Sequence, residues 1–365
     1  MRKAFLKLHL WLTIPFGAII TIICLTGAIL SFETEITQAI NYDKYFVNPN
    51  GKKPLPLEYL VSLFNQQIGD SIKFTGIKIS QNPDRAYVFN TKKRGVSYMI
   101  NQYTGKISGI QNGKEPFFEV SFKLHRWLLD SDKKTGKLLV GISTIMLVLL
   151  VISGIVVWYP KNRKMLRNNL RFKKMKTSLG QMHNWHVVGG FYAAILILAI
   201  ALTGLTWSFE WYRSAFYKTF GASSEMSHRG KPEGMENGGN PHKGDKKNGR
   251  NDFPWQNAFD NIKLQTPDYK DITISRREAS VVTSNYGNSR AADKYILNPG
   301  TGTIKEAKLY KDSPRSSKIR GWIYSVHVGS WGGLPTRILT CLVSLFTAFL
   351  CITGYYFWIK KKFKL

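Results

Sequence analysis

Four long uncharged runs divide the chain, at residues 8–32, 138–160, 187–209 and 338–359. Each reaches or exceeds the roughly 20 residues an α-helix needs to cross a bilayer, so four transmembrane helices are expected. The first run is read as a retained helix, because Ser31-Phe32-Glu33-Thr34-Glu35 is a poor small-residue cleavage site.

The connections between these runs carry other periods. After the first run, apolar residues at 57, 60, 61, 64 and 68 recur at helical spacing. Alternating stretches follow at 73–79, 86–89 and 96–100. A turn at Asn101 to Gly105 then leads to a further strand at Ile107. After the third run, a helix is expected at 255–263, with strands at 271–275, 280–283 and 294–297 and a closing turn from Asn298 to Gly302. Each connection therefore reads as a small α+β module. Each returns to the bilayer through a segment holding a histidine, His125 in the amphipathic stretch 120–129 and His327 in 321–327. Residues 221–251 are rich in Gly, Asn, Lys and Ser and bury too little apolar surface to fold, so they are expected to form a flexible loop. His228 and His242 within it read as solvent-exposed rather than as metal ligands.

The order helix, module, histidine-bearing approach, helix occurs twice. The expected segments are span 1 at 1–33, the first module at 34–120, the approach and span 2 at 121–160, a basic loop at 161–182, span 3 at 183–212, the flexible loop at 213–251, the second module at 252–312, and the second approach with span 4 at 313–365. The fold class expected is a mainly α membrane protein: a tandem-duplicated bundle of four transmembrane helices with two extracytoplasmic α+β modules. Halves that share an orientation imply a pseudo-two-fold axis along the membrane normal.

Charge orients this plan. The net charge of +29 comes from 52 Lys and Arg against 23 Asp and Glu, and the basic residues cluster at the ends of spans. Arg2, Lys3 and Lys7 precede span 1. Lys161, Arg163, Lys164, Arg167, Arg171, Lys173, Lys174 and Lys176 fill the middle loop, and Lys360, Lys361, Lys362 and Lys364 follow span 4. The positive-inside rule places both termini and that loop in the cytoplasm and both modules outside. Anionic lipid headgroups account for the excess, and no nucleic-acid partner is expected. Cys24, Cys341 and Cys351 all fall in spans 1 and 4, which leaves no disulfide framework and no Cys-x-x-Cys-His for covalent haem attachment.

The histidines carry the candidate chemistry. His9 and His186 stand in the same register: 18 residues separate His9 from Gly27 (27 − 9) and His186 from Gly204 (204 − 186). Eighteen residues make five turns, so ligand and glycine share a face about 27 Å apart. Ionisable side chains at membrane depth are functional candidates by default. Symmetry matches His9 with His186 near the cytoplasmic side and His125 with His327 near the outer side, an arrangement suited to two b-type haems, each held by two histidines. Gly27, Gly204, Gly154 and Gly354 would leave room for the macrocycles. His183, three residues before His186, is the alternative ligand on that helix. Histidines beside tryptophan can also act as interfacial anchors, and the glycines can serve close helix packing.

These residues resemble the PepSY-associated transmembrane family. The shared motifs are the His-led helix ending in Thr-Gly and Ser-Phe-Glu, the module closing in Asn-x-x-Thr-Gly-x-Ile, Leu124-His125-Arg126-Trp127-Leu128, and Ser153-Gly154 leading to Trp158. At the second approach Val328-Gly329-Ser330-Trp331 replaces Arg-Trp after His327. The resemblance implies a bacterial inner-membrane iron-uptake protein with His9, His125, His186 and His327 as haem ligands, reducing ferric iron in a siderophore or similar chelate in the periplasm. No flavin or nicotinamide fingerprint is present, so the donor is expected to be separate, a quinol or a cytoplasmic reductase. Trp127, Trp322 and Trp331 are expected near the outer site. The alternatives are a non-enzymatic membrane protein whose modules bind or inhibit peptidases or sense a ligand, and a transporter. No span contains the paired charges that would mark a transporter's ion path.

Overall fold

The computed structural model describes residues 2–69, 72–160, 162–223, 253–284 and 287–363. In chain order the helices are α1 (Arg2–Leu30), α2 (Glu33–Ile40), α3 (Tyr42–Tyr45) and α4 (Leu57–Ile68). Strands β1 (Phe74–Ser80), β2 (Tyr87–Thr91), β3 (Val96–Ile100) and β4 (Ile107–Asn112) follow. Then come α5 (Pro116–Trp127), α6 (Lys134–Trp158), α7 (Arg163–Asn169), α8 (Ser178–Asn184), a π-helical turn (Trp185–Gly189), α9 (Gly190–Ser208) and α10 (Glu210–Thr219). The second run holds α11 (Trp255–Gln265), β5 (Asp271–Ser275), β6 (Glu278–Val282), β7 (Asp293–Leu297), β8 (Ile304–Lys308), α12 (Arg315–His327) and α13 (Leu334–Phe363). The chain divides into a bundle unit, the described parts of 1–33, 116–224 and 322–365, and a sheet unit, those of 34–115 and 225–321.

In the bundle unit α1, α6, the run from α8 through α9, and α13 are long and apolar enough to cross a bilayer. This is a membrane protein. Helix α1 packs against α6 and α13, and α9 packs against α6. Glycines let the helices approach: a Cβ on Gly141 would stand 2.6 Å from the Phe209 ring. Ile195, Leu342 and Ile352 remain exposed, as lipid-facing positions require.

In the sheet unit the two expected modules are not separate. All eight strands form one antiparallel sheet in the order β4-β3-β2-β1-β5-β6-β7-β8. The central pair sets Ile77 opposite Ile274 and Ile79 opposite Ile272. Left apart, β1 and β5 would each expose a row of unpaired backbone groups, and pairing them removes both edges. The stripe Leu57, Leu60, Val61, Phe64 on α4 and its counterpart Trp255, Ala258, Phe259, Ile262 on α11 complete one shared core. The helix starts are tied together as well, because Gln256 N–H donates to Glu58 Oε1 (2.8 Å) and Leu57 N–H donates to Gln256 Oε1 (3.2 Å).

Both closing turns form as expected: Gly105 N–H donates to Asn101 O and Gly302 N–H to Asn298 O, each at 2.8 Å. Both glycines have positive φ, 73° and 70°. Short helices α2, α7 and α10 form where the hydrophobic pattern predicts no element. The flexible loop assigned to 213–251 begins too early, since α10 runs to Thr219 with Tyr217 buried. The rest of that assignment, with His228 and His242, lies outside the described residues beyond 223.

Candidate functional site

Each histidine-bearing helix delivers its ring to a partner on another helix. His9 on α1 and His186 in the π-helical turn have ring centroids 6.4 Å apart, with planes at 75°. His125, in the last turn of α5, and His327, at the end of α12, have centroids 6.1 Å apart at 59°. The π turn is local to His186, and such single-turn widenings collect at functional sites. His183 instead rests against the Phe357 ring at 5.7 Å, and it is His186 whose ring meets His9.

All four rings are anchored through Nδ1. His9 Nδ1 donates to Leu150 O (3.1 Å) and Ser153 Oγ (3.0 Å), and His186 Nδ1 to Thr353 Oγ1 (2.7 Å). His125 Nδ1 donates to Ile23 O (2.9 Å) with Thr26 Oγ1 at 3.4 Å. His327 Nδ1 donates to Ile200 O (3.0 Å) with Thr203 Oγ1 at 3.4 Å. A carbonyl oxygen only accepts, so three of the Nδ1 atoms must carry the proton. The Thr353 hydroxyl already donates to Phe349 O and Leu350 O, so it too accepts from its histidine. The tautomer is thereby set with Nε2 bare, the form in which imidazole ligates a metal. Burial lowers the His125 pKa from its ordinary value; burial, with His125 close by, pushes His327 down to about 4.

The glycines stand where side chains would crowd the rings. A Cβ on Gly27 would lie 3.0 Å from His125 Cε1, and one on Gly204 3.0 Å from His327 Cε1. Gly154 faces His9 at 3.5 Å, whereas Gly354 faces Thr13 Cγ2 at 3.2 Å rather than a histidine. Three of the four glycines expected to leave room for macrocycles thus stand beside imidazoles. The residues before the glycines, Thr26, Ser153, Thr203 and Thr353, all bring a hydroxyl to a histidine, a signal legible as one hydroxyl-Gly dipeptide in each uncharged run. Trp207, which no sequence motif marks, meets His327 edge-on at 5.0 Å. Trp127 meets the Phe122 ring edge-on at 5.6 Å and lies under the Arg126 and Lys133 cations. Trp322 and Trp331 are 45% and 41% exposed.

The donor set discriminates among metals. Two imidazoles bonded to one metal at about 2 Å, on opposite sides of it, place their centroids roughly 6 Å apart. Both pairs match that spacing. Among the described residues no group of three or more His, Cys, Asp or Glu side chains converges. A two-imidazole set is the protein donor set that a bis-histidine haem would use.

The sequence profile of the family described as the PepSY-associated TM region matches residues 6–361. The chain belongs to the PepSY-associated TM family. The match takes in all four spans, the sheet unit and both histidine pairs. No curated protein matches the chain in sequence.

Proposed function

We propose that this PepSY-associated TM protein is a tandem-duplicated, di-haem electron carrier of the bacterial inner membrane. In this reading His9 and His186 hold a cytoplasmic-side b-type haem, and His125 and His327 hold a periplasmic-side one. The observation that carries it is the pairing of four Nδ1-anchored histidines at centroid distances of 6.4 and 6.1 Å, each with Nε2 uncommitted. The haem supplies reversible one-electron chemistry when bound. The chain's own residues fix the ring tautomers, clear space beside the rings and exclude water. Because Gly27 touches the His125 ring and lies five turns from His9, the two sites are separated by roughly 27 Å of helix, close to the hydrocarbon thickness. In this reading one site lies near each surface.

The substrate we propose is ferric iron in a siderophore or similar chelate, reached from the periplasm, with electrons from a separate quinol or cytoplasmic reductase. Hard oxygen donors hold Fe(III) tightly, and reduction to Fe(II) loosens that hold. The test is an absorption spectrum of protein expressed with sufficient haem. Reducible Soret and α bands with two haems per chain are expected, and His9→Ala and His327→Ala should each lose about one. A chain without such bands would leave a binding or sensing role for the sheet unit as the better reading.

A further inference from the structure

The helix that carries His9 has a proline and an inserted side chain between the two sites. Pro15 lies inside α1 and has no N–H, so the Trp11 carbonyl loses its ladder donor. Three rungs further on, a side chain from another helix enters the ladder. The Tyr355 hydroxyl of α13 donates to Ile14 O (2.6 Å) and accepts from Ala18 N–H (3.0 Å), the two groups that an uninterrupted helix pairs with each other. Gly17 makes the approach possible, since a Cβ there would stand 2.8 Å from the Tyr355 ring. Side chains inserted into the ladder are an established cause of helix kinks.

The same turn of α13 supports both histidines of the pair. Thr353, two residues before Tyr355, accepts the hydrogen bond from His186, and Gly354 packs against Thr13, whose hydroxyl donates to His9 O. The other half lacks this device: Ser153-Gly154 is followed by Ile155, which has no hydroxyl to insert. There the irregularity is the π turn around His186.

We propose that Tyr355 is a positioning residue for the His9–His186 pair: its hydroxyl holds a joint in α1 that sets the angle at which His9 faces His186. This rests on the haem reading above. The angle between two axial imidazole planes governs the low-spin ferric electron paramagnetic resonance (EPR) signal, so the pairs at 75° and 59° should be distinguishable. In Tyr355→Phe the freed Ala18 N–H and Ile14 carbonyl can pair with each other, leaving no orphaned group, so folding and two haems should be retained.

The experiment is EPR and potentiometry on the full-length protein in detergent, with His327→Ala used to assign the inner signal. Tyr355→Phe should shift the inner signal and inner midpoint potential and leave the outer ones in place. Gly17→Ala, which favours helix and crowds the same ring, should shift the same inner signal and serves if Tyr355→Phe does not fold. Unchanged inner signal and potential in a folded variant that still holds two haems would overturn the proposal. Absence of haem bands in the unsubstituted protein would overturn the haem reading itself, which is a different result.

Discussion

His186 Nδ1 and Thr353 Oγ1 lie 2.7 Å apart, and that hydroxyl is the ring's hydrogen-bond partner. The other three histidines each have a backbone carbonyl as well: Leu150 for His9, Ile23 for His125, Ile200 for His327. Thr353→Val should therefore weaken haem binding at the His9–His186 site by roughly 10–100-fold. Thr203→Val should have a smaller effect at the other site, since the Ile200 carbonyl still orients His327. Haem titration of the two apo variants tests the contrast, and equal losses would count against it.

Glycine substitutions should divide by distance. Gly27→Ala and Gly204→Ala put a methyl group 3.0 Å from an imidazole carbon and should lower occupancy of the His125–His327 site alone. Gly154→Ala places it at 3.5 Å from His9, an ordinary contact, and should leave both sites filled. Haem stoichiometry read from the pyridine haemochrome separates these outcomes.

Arg126 follows His125 and stacks over the Phe122 and Trp127 rings at 5.7 and 5.5 Å. Its burial lowers the guanidinium pKa, though it remains charged. A nearby cation disfavours the more positive, oxidised state of a redox centre, so Arg126→Gln should lower the midpoint potential of the outer haem and leave the inner one in place. Spectroelectrochemistry that found the outer potential unmoved would show the charge to be screened from the site.

The join between β1 and β5 should depend on Gly76, whose added Cβ would collide with the Ile274 carbonyl. Gly76→Val is expected to destabilise the sheet unit by roughly 1–3 kcal/mol and to speed amide exchange at Ile77 and Ile274. Haem content of the bundle should be unaffected, which distinguishes a local opening of the sheet from global misfolding.

The sequence by itself determined the features that repeat along a single element. Uncharged runs marked the four spans, the spacing 57, 60, 61, 64 marked the buried stripe of α4, and the Asn-to-Gly closures marked both turns. It also singled out four histidines, because polar groups at membrane depth are costly and stand out. The shared offset also paired His9 with His186 rather than His183, and the repeated order of elements paired His125 with His327. Tertiary structure alone decided the distance and angle at which the paired rings meet, and that hydroxyls at Thr26, Ser153, Thr203 and Thr353 steady them. It also merged two modules into one sheet. The reason is physical: helix and strand periods are set by neighbours a few residues away, whereas His9 and Ser153, or Ile77 and Ile274, come together only when distant elements pack. Nothing in the local pattern of either segment encodes its partner, and the Tyr355 hydroxyl between Ile14 and Ala18 is the clearest instance.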